Sequence, residues 1–308
     1  MLASELPVTL TADFDVEPWW ARAHLWYYLK MPNHRGKGRI LATLLDAGIR
    51  KARPFLWKMG NGNYVAIDPR EGLAAWSVGW TCFMTGKWEA HVERLLNDRI
   101  KTGSCVMDIG ANLGYFSTVM ARCVGNAGHV FSFEPVPLTY RQLCIAREFN
   151  HLDQITPLNL ALGDANGTAQ LHFDASMMGS ASMHTHMSAQ QPLSANVEIR
   201  RLDDLWKLGR VTEPDLIKID VEGHEFATFD GARELLTKAR PQIVFEYNRP
   251  AAEAAGWDLP RLVTLLRECC DYQFFRVTSD SFLPIDPMTF DVKPDGYVDL
   301  LALPPERI

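Results

Sequence analysis

The sequence predicts an α/β domain with a mainly parallel, seven-stranded sheet and helices on both faces. From Cys105 onward, short runs of β-branched and large apolar residues alternate with segments of helical periodicity. Continuous apolar runs are typical of strands buried on both faces, as in a parallel sheet covered by helices. The predicted parallel strands are Val106–Ile109, Val130–Phe133, Ile155–Leu160, Leu216–Ile219 and Ile243–Phe245. The predicted helices are Tyr115–Cys123, Pro137–Phe149, Phe226–Lys238 and Leu259–Glu268.

The end of the chain is predicted to complete this sheet. Gln273–Val277 and Tyr297–Leu303 have strand character and follow the last of the parallel strands. We expect them to form an antiparallel pair at one edge, which brings the total to seven strands. The domain built around this sheet is predicted to span residues 101–308.

Residues 1–100 are predicted to form a helical and hairpin extension. Glu17–Lys30 is rich in aromatic residues, and Arg39–Arg50 and Lys87–Arg99 have apolar residues at helical spacing. Phe55–Ile67 has two apolar stretches joined by a turn of Gly and Asn, which indicates a hairpin. We expect this extension to cover the substrate site; an alternative for its aromatic stretch is a homodimer contact.

Charge and composition narrow the classes of partner. The formal net charge is −6 and the pI about 5.9, whereas proteins that bind nucleic acid usually carry a basic face. The apolar runs are shorter than the roughly 18–20 residues of a membrane-spanning helix. The six cysteines form no CxxC pair or metal-finger spacing. We therefore expect a cytoplasmic protein with reduced thiols and a small-molecule substrate, without nucleic-acid or membrane partners.

An insertion interrupts the α/β alternation. Thr168–Phe173 and Val197–Leu202 are predicted strands, and the residues between them, about 174–192, lack helical or strand periodicity. This segment contains four methionines and two histidines among small polar residues. Long irregular insertions in compact domains are commonly functional lids or disordered. Our hypothesis is a substrate lid.

The segment Val106–Val119 carries the strongest functional signal. A strand delivers Asp108, and the turn Gly110-Ala-Asn112-Leu-Gly114 then leads into a helix. Glycines allow a ligand to approach the backbone closely, and ligands of open α/β sheets bind beyond the carboxyl ends of the strands. Asn112 replaces the second glycine of the dinucleotide pattern Gly-x-Gly-x-x-Gly. A carboxylate at this turn opposes a diphosphate but suits a cofactor that carries an ammonium and a sulfonium.

A second carboxylate ends the next predicted strand. Glu134 lies 26 positions beyond Asp108 and directly before Pro135. A carboxylate in this position can accept hydrogen bonds from both hydroxyls of a ribose. The alternative is a solvated strand end. Together with the glycine turn, Glu134 and Pro135 predict a nucleoside-containing cofactor.

These motifs together resemble the FkbM family of S-adenosylmethionine (SAM)-dependent methyltransferases. The resemblance covers roughly residues 102–247, and its most specific part is Lys-Ile-Asp-Val-Glu-Gly-His-Glu at 218–225. The segments that carry it are Asp108–Ser117, Phe133–Pro135, Ala161–Asp164, Lys218–Glu225 and Gly231–Ala232, with the strand that ends in Glu246. The first hundred residues share little with these motifs, so the identity of the substrate does not follow from the resemblance.

The resemblance implies a Rossmann-like class I methyltransferase fold with a reversed final hairpin. It also implies SAM as the cofactor and O-methylation of a small metabolite or sugar. Phe116, Ser117 and Asp220 are further candidates for the cofactor site, and Ala161 and Leu162 are implied adenine contacts. Asp164 is either a further adenine contact or part of a simple turn.

The chemistry is predicted to involve the acidic segment that follows the strand Leu216–Ile219. Asp220, Glu222 and His224 are candidates for catalysis, either as a general base towards the acceptor hydroxyl or as part of its binding site. A divalent cation such as Mg²⁺, held by Asp220 and Glu246, is an alternative means of activating the hydroxyl. Glu222 and Glu225 also have a structural interpretation, because carboxylates are favourable at a helix N-terminus.

Three other functions remain open at this point. The first is N-methylation of a small molecule or peptide. The second is an NAD-dependent oxidoreductase, which Asn112 in the turn disfavours. The third is a SAM-binding module without catalysis, which the intact segment 220–225 disfavours.

Overall fold

A computed structural model describes residues 15–31, 55–67, 78–174 and 192–308. The predicted helix Arg39–Arg50 and nearly all of the predicted lid lie outside these described residues. The strands are β1 (Asp15–Val16), β2 (Phe55–Lys58), β3 (Tyr64–Ile67), β4 (Cys105–Ile109), β5 (His129–Phe133), β6 (Ile155–Leu158), β7 (Ala161–Leu162), β8 (Gly167–Asp174), β9 (Pro192–Arg200), β10 (Leu216–Ile219), β11 (Gln242–Asn248), β12 (Gln273–Val277), β13 (Phe282–Pro284) and β14 (Tyr297–Leu303). The helices are α1 (Trp19–Lys30), α2 (Val78–Thr85), α3 (Ala90–Arg99), α4 (Tyr115–Val124), α5 (Pro137–Phe149), α6 (Leu202–Lys207), α7 (Glu225–Asp230), α8 (Arg233–Ala239), α9 (Arg249–Ala254) and α10 (Leu259–Cys269).

The central sheet confirms the predicted α/β fold. Its strands lie in the order β13-β12-β14-β11-β10-β4-β5-β6. Five adjacent strands of this order run parallel, namely β11, β10, β4, β5 and β6. Strand β14 pairs antiparallel with both β11 and β12. The predicted seven strands are therefore present, with the reversed pair at one edge. The additional edge strand β13 has three residues, all exposed, so it lacks the apolar alternation by which a strand is recognised in a sequence.

Two predicted elements are divided in the structure. The strand predicted as Ile155–Leu160 ends at Leu158, and β7 leaves the central sheet to pair with β9 in a separate three-stranded sheet. The helix predicted as Phe226–Lys238 forms α7 and α8 instead. Gly231 lies between them, and its carbonyl accepts from the Asp203 amide at 3.0 Å. The Asp203 carboxylate accepts from the amides of Glu234 and Leu235, which starts a new helix at α8.

The N-terminal segments share a hydrophobic core with the central sheet. The predicted hairpin is confirmed as β2 and β3, which pair antiparallel. Its buried Phe55 and Trp57 belong to the same cluster as Phe83 of α2 and Val106 and Leu301 of the central sheet. The described N-terminal segments thus pack directly on the main domain. The domain boundary at residue 100 stays a prediction from the sequence.

The ends of β4 and β10 approach each other unusually closely. The two strands are parallel neighbours, and the amide of Asp220 donates to the Ile109 carbonyl at 3.0 Å. Gly110, which follows β4, has a φ of +80°. A Cβ atom on Gly110 would lie 1.9 Å from the backbone oxygen of Asp220. Only glycine fits here, because both the conformation and the contact exclude a side chain.

We expect Gly110→Ala to lower the free energy of unfolding by about 3 kcal/mol or more, since strain at positive φ and a backbone clash add together. The matched control is Gly103→Ala. Gly103 has a φ of +86°, and no atom lies within 4 Å of the position its Cβ would take. This control should cost only about 1–2 kcal/mol. Urea unfolding of both variants measures the difference, and equal losses would contradict the close-contact explanation.

Candidate active site

A cavity of about 320 Å³ opens at the carboxyl edge of the central sheet. Ligands of open α/β sheets bind at this edge, and the volume is at the lower end of those of small-molecule sites. Predicted site residues in its lining are Gly110, Asn112, Phe116, Glu134, Pro135, Ala161, Leu162, Asp220, Glu222, His224 and Glu246. The structure thus brings most of the predicted cofactor and catalytic residues to one cavity.

The turn after β4 is held in a left-handed conformation against the neighbouring strand. The amides of Gly110 and Ala111 both donate to the carbonyl of Phe133, at 3.0 and 2.9 Å. Asn112 has a φ of +51°, and its side-chain oxygen accepts from the amide of Leu113 at 2.8 Å. Asn tolerates this conformation through such local hydrogen bonds, which explains its presence where dinucleotide-binding turns have glycine.

Glu134 locks the turn from the end of β5. Its Oε2 accepts from the Asn112 amide at 2.7 Å, while Oε1 accepts from the Val136 amide and the Thr139 hydroxyl, both at 2.8 Å. Burial raises the pKa of Glu134 to about 7, and these three hydrogen bonds oppose that rise. A carboxylate has about four acceptor positions. Glu134 therefore retains an acceptor position only on Oε2.

Asp108 and Ser117 lie beneath the turn and do not line the cavity. The Ser117 hydroxyl donates to Asp108 Oδ2 at 2.6 Å, and both residues are fully buried. Burial raises the pKa of Asp108, whereas the charge of Lys218 and the hydrogen bond from Ser117 lower it. The carboxylate of Asp108 therefore interacts with Ser117 and Lys218 inside the protein rather than with the cavity.

Lys218 is a buried cation between two carboxylates. It lies beside Asp108 in the sheet register, and its Nζ is 3.4 Å from Asp220 Oδ2. The same Nζ is 5.0 Å from the ring centroid of Phe116. Burial lowers the pKa of Lys218, but Asp220, Asp108 and Glu89 raise it, and the net pKa lies above the ordinary value. Lys218 is consequently charged and links the turn to the acidic segment.

The acidic segment after β10 separates into structural and cavity-lining residues. Glu225 Oε1 accepts from the amides of Val221 and Gly223 at 3.1 and 3.4 Å, at the start of α7. These contacts support the structural role predicted for Glu225, a carboxylate at a helix N-terminus. Glu222 and His224 line the cavity instead. Burial, with Asp220 next, raises the pKa of Glu222 to about 8.

Glu246 faces the same cavity from β11. Its strand partner on β14 is Asp299, whose Oδ2 lies 2.6 Å from Nε2 of His91. Burial, followed by Asp220 and Glu222, raises the pKa of Glu246 to about 10. This carboxyl group is therefore protonated at neutral pH.

Glu89 is a site residue that the sequence analysis missed. It lines the cavity, and burial, followed by the charges of Asp220 and Asp299, raises its pKa to about 7. The sequence analysis placed Glu89 inside a helix over Lys87–Arg99, but α3 begins only at Ala90 and Glu89 has a φ of +39°. No motif marks this position, because the segment reaches the cavity only through tertiary packing.

The remaining predicted residues have simpler positions. Gly114 has a φ of +88° and packs against Leu143, where a Cβ atom would lie 2.7 Å from a side-chain carbon. Asp164 is exposed and does not line the cavity, as in the simple-turn alternative. Within the described parts of the chain, no group of three or more His, Cys, Asp or Glu side chains is arranged to hold a metal ion. A cation at Asp220 and Glu246 stays a prediction.

The fold and the site define a class of protein. A parallel sheet with a reversed final hairpin, a glycine turn after one strand and a carboxylate at the end of the next is the arrangement of class I methyltransferases. The sequence matches the family model of the methyltransferase FkbM domain over residues 108–274, more than half of the chain. The chain belongs to this family.

Curated relatives are consistent with the family match. The chain is 28% identical over 156 residues to the hexuronic acid methyltransferase AglP of Haloferax volcanii, covering 51% of this chain and 61% of that protein. It is 33% identical over 156 residues to the 2-O-methyltransferase NoeI of Sinorhizobium fredii, covering 46% of this chain and 62% of that protein. The chain thus spans about three fifths of the length of each.

A solved structure of a methyltransferase FkbM from Methylobacillus flagellatus is also similar. It is 15% identical, with a TM-score of 0.42, and the match covers 72% of this chain and 52% of that one.

None of the helices in the described part of the chain is long and apolar enough to cross a bilayer.

We expect Lys218→Met to destabilise the protein by about 3–5 kcal/mol at pH 8, because it leaves buried carboxylates without their cation. Loss of Lys218 removes a charge that lowers the pKa of Asp108, so the folded pKa of Asp108 rises further above the unfolded value. The deficit is present above the unfolded pKa and shrinks as the pH falls through the folded pKa. Urea unfolding at pH 8 and pH 5 measures both effects.

The control for this variant is Lys238→Met, at an exposed position of α8. It removes a lysine charge, but no buried carboxylate loses its cation. We therefore expect the free energy of unfolding to change by no more than about 0.5 kcal/mol at both pH values. A deficit of Lys218→Met that is independent of pH would contradict the electrostatic explanation and indicate lost packing.

Proposed function

We propose that this protein transfers a methyl group from SAM to a hydroxyl of a small acceptor, with a sugar as the favoured acceptor class. The observation that carries this proposal is the single cavity that joins the locked turn, Glu134 and the acidic segment. Membership of the FkbM family supports methyl transfer. The relatives named as hexuronic acid and 2-O-methyltransferases support a sugar hydroxyl.

The described residues fit the cofactor. Gly110, Ala111 and Asn112 of the turn line the cavity, which suits close approach of the amino-acid end of SAM to the backbone. Ala161, Leu162 and Pro135 provide apolar surface for the adenine. Glu134 has one remaining acceptor position on Oε2, so we assign it one ribose hydroxyl rather than the two that the sequence suggested. SAM supplies the methyl group as an electrophile bound to a sulfonium.

Asp108 and Ser117 support this site without contacting the cofactor. Their hydrogen bond, together with Lys218, fixes the end of β4 from below. Phe116 and Lys218 both line the cavity, and the Lys218 Nζ lies 5.0 Å from the ring centroid of Phe116. These residues act by positioning the turn.

The acceptor hydroxyl is proposed to bind at Asp220, Glu222 and His224. All three line the cavity at the end of β10. Because the pKa of Glu222 is about 8, its carboxyl group is mostly protonated at neutral pH and can donate a hydrogen bond. Methyl transfer needs an in-line approach of the attacking oxygen to the methyl group, so orientation by these side chains is their main contribution.

Several finer assignments stay predictions from the sequence. A divalent cation at Asp220 and Glu246 is an alternative way to orient the hydroxyl. A homodimer contact through the aromatic helix α1 and a cytoplasmic location are also predictions from the sequence. N-methylation is the closest alternative reaction, and a SAM-binding module without catalysis is the alternative outside enzymes.

An NAD-dependent oxidoreductase is disfavoured by the charges of the site. A dinucleotide would bring its diphosphate to the turn after β4. That turn is locked by the carboxylate of Glu134, Asp108 is buried in the strand before it, and Glu89 and Asp220 also line the cavity. Two phosphates in this environment would face repulsion from each ionised carboxylate.

Calorimetric titration with SAM, S-adenosylhomocysteine and NAD tests the cofactor assignment. We expect wild type to bind SAM at micromolar strength and Glu134→Ala to bind it at least about tenfold more weakly, a change of about 1.4 kcal/mol. The physical reason is loss of the ribose contact and release of the Asn112 amide that fixes the turn. Glu148→Ala is the control, because Glu148 is exposed on α5. Binding of NAD with no binding of SAM would sink the assignment.

The acceptor class is tested by formation of S-adenosylhomocysteine. Methyl glycosides, hexuronic acids and amino sugars are incubated with labelled SAM, and the labelled products are identified by mass spectrometry. We expect an O-methyl ether on at least one of them. Label on nitrogen of an amino sugar would support the N-methyltransferase alternative, and SAM binding without any transfer would support the non-catalytic alternative.

A further inference from the structure

We propose that Glu89, which lies outside the matched family domain, is the catalytic carboxylate that takes the proton from the acceptor hydroxyl. This inference rests on the proposed function and extends it to a residue of the N-terminal segment. Three observations carry it: the position of Glu89 in the cavity wall, the absence of a hydrogen bond from any described residue to its carboxylate, and the rigid attachment of its segment.

The carboxylates around the cavity fall into two groups. Those of Glu134 and Glu225 accept backbone hydrogen bonds, and those of Asp220 and Asp299 have Lys218 and His91 as partners. Each of these groups has a partner within the protein.

The second group has no such partners. Within the described residues, no hydrogen bond or ion pair reaches the carboxyl groups of Glu89, Glu222 and Glu246. Partly buried polar groups without partners call for an explanation, and a ligand in the cavity is the direct one. All three line the cavity, so all three are available to an acceptor.

Protonation distinguishes the three. A general base must be ionised near the working pH and close in pKa to it. Burial and neighbouring carboxylates raise the pKa of Glu246 to about 10 and that of Glu222 to about 8, so both are mainly protonated at pH 7. The pKa of Glu89 rises only to about 7. Among the three, the pKa of Glu89 is thus raised least and lies closest to a neutral working pH.

The chain holds Glu89 at this position against a conformational cost. Its φ of +39° and ψ of 63° are left-handed, which is unfavourable for a residue other than glycine. Helix α3 follows at once and is fixed by the contact of His91 with Asp299 and by the hydrogen bond of Tyr115 to Glu93. Strained backbone persists where the surrounding structure determines it, and such positions cluster at functional sites.

The proposed step balances as follows. The acceptor oxygen forms a bond to the methyl carbon as the carbon–sulfur bond breaks and leaves its electron pair on sulfur. The electron pair of the hydroxyl O–H bond stays on oxygen, and the proton passes to the carboxylate of Glu89. The products are the methyl ether, S-adenosylhomocysteine and protonated Glu89, which returns its proton to solvent.

Sinefungin provides a test that does not require a known acceptor. It is an analogue of SAM in which a carbon-bound primary amine replaces the methylated sulfonium, so its ammonium lies where the methyl group is transferred. S-adenosylhomocysteine lacks a charged group at that position. The ratio of the two affinities therefore reports on a carboxylate that faces the transfer point.

The variants are Glu89→Gln and Asp98→Asn. Asp98 is exposed on the same helix α3, so its variant removes one negative charge from the same element outside the cavity. We expect Glu89→Gln to lower the affinity for sinefungin relative to that for S-adenosylhomocysteine by at least tenfold. The affinity for S-adenosylhomocysteine itself should stay within about twofold, and Asp98→Asn should keep both. Thermal unfolding confirms that both variants are folded.

The outcomes separate the two proposals. An unchanged ratio in Glu89→Gln, or an equal fall in Asp98→Asn, overturns the role of Glu89 and leaves the proposed function intact. Failure of wild type to bind any of these nucleosides overturns the proposed function. With a glycoside that the acceptor screen shows to be methylated, Glu89→Gln should also lower the rate of transfer at least a hundredfold. A rate equal to that of Asp98→Asn would exclude Glu89 as the base.

Discussion

The close contact between Gly110 and the backbone of Asp220 is the constraint on which the site depends. Two parallel strands end side by side, and the absence of a Cβ atom on Gly110 lets the following turn pass directly over the end of β10. This contact places the cofactor turn and the acidic segment on the same cavity. Glu134 then fixes the turn from the other side through the Asn112 amide. The geometry of the turn thus comes from one backbone contact and from the hydrogen bonds of one buried carboxylate.

Lys218 sets the electrostatic balance of this arrangement. It is the cation between Asp108 below the turn and Asp220 at the cavity, and it is nearly fully buried. Its charge lowers the pKa of Asp108, against the effect of burial. Burial and neighbouring carboxylates raise the pKa of Glu222 to about 8 and that of Glu246 to about 10. Lys218 therefore offsets only part of the negative charge that the acidic residues bring to this edge of the sheet.

The sequence predicts most of the fold because local patterns encode it. Buried parallel strands are apolar runs, and the segment 108–114 carries its turn chemistry in consecutive residues. The division of the predicted helix depends on Asp203, whose carboxylate accepts from the amides of Glu234 and Leu235 and lies far from them in the sequence. Glu89 was missed for a similar reason. Its segment reaches the cavity by packing on α4 and by the contact of His91 with Asp299, and neither leaves a local pattern.

Neutral carboxyl groups near the acceptor have a consequence for the proposed reaction. The positive charge on sulfur disappears as the methyl group leaves, so ionised carboxylates close to it would stabilise the reactants more than the transition state. Protonated Glu222 and Glu246 avoid this penalty and still hydrogen-bond hydroxyl groups. A carboxylate that accepts the proton as the methyl group moves acts differently, since its charge is lost together with that of the sulfonium. The site thus combines the two neutral acids Glu222 and Glu246 with a carboxylate that can take up the proton, rather than a uniformly charged cluster.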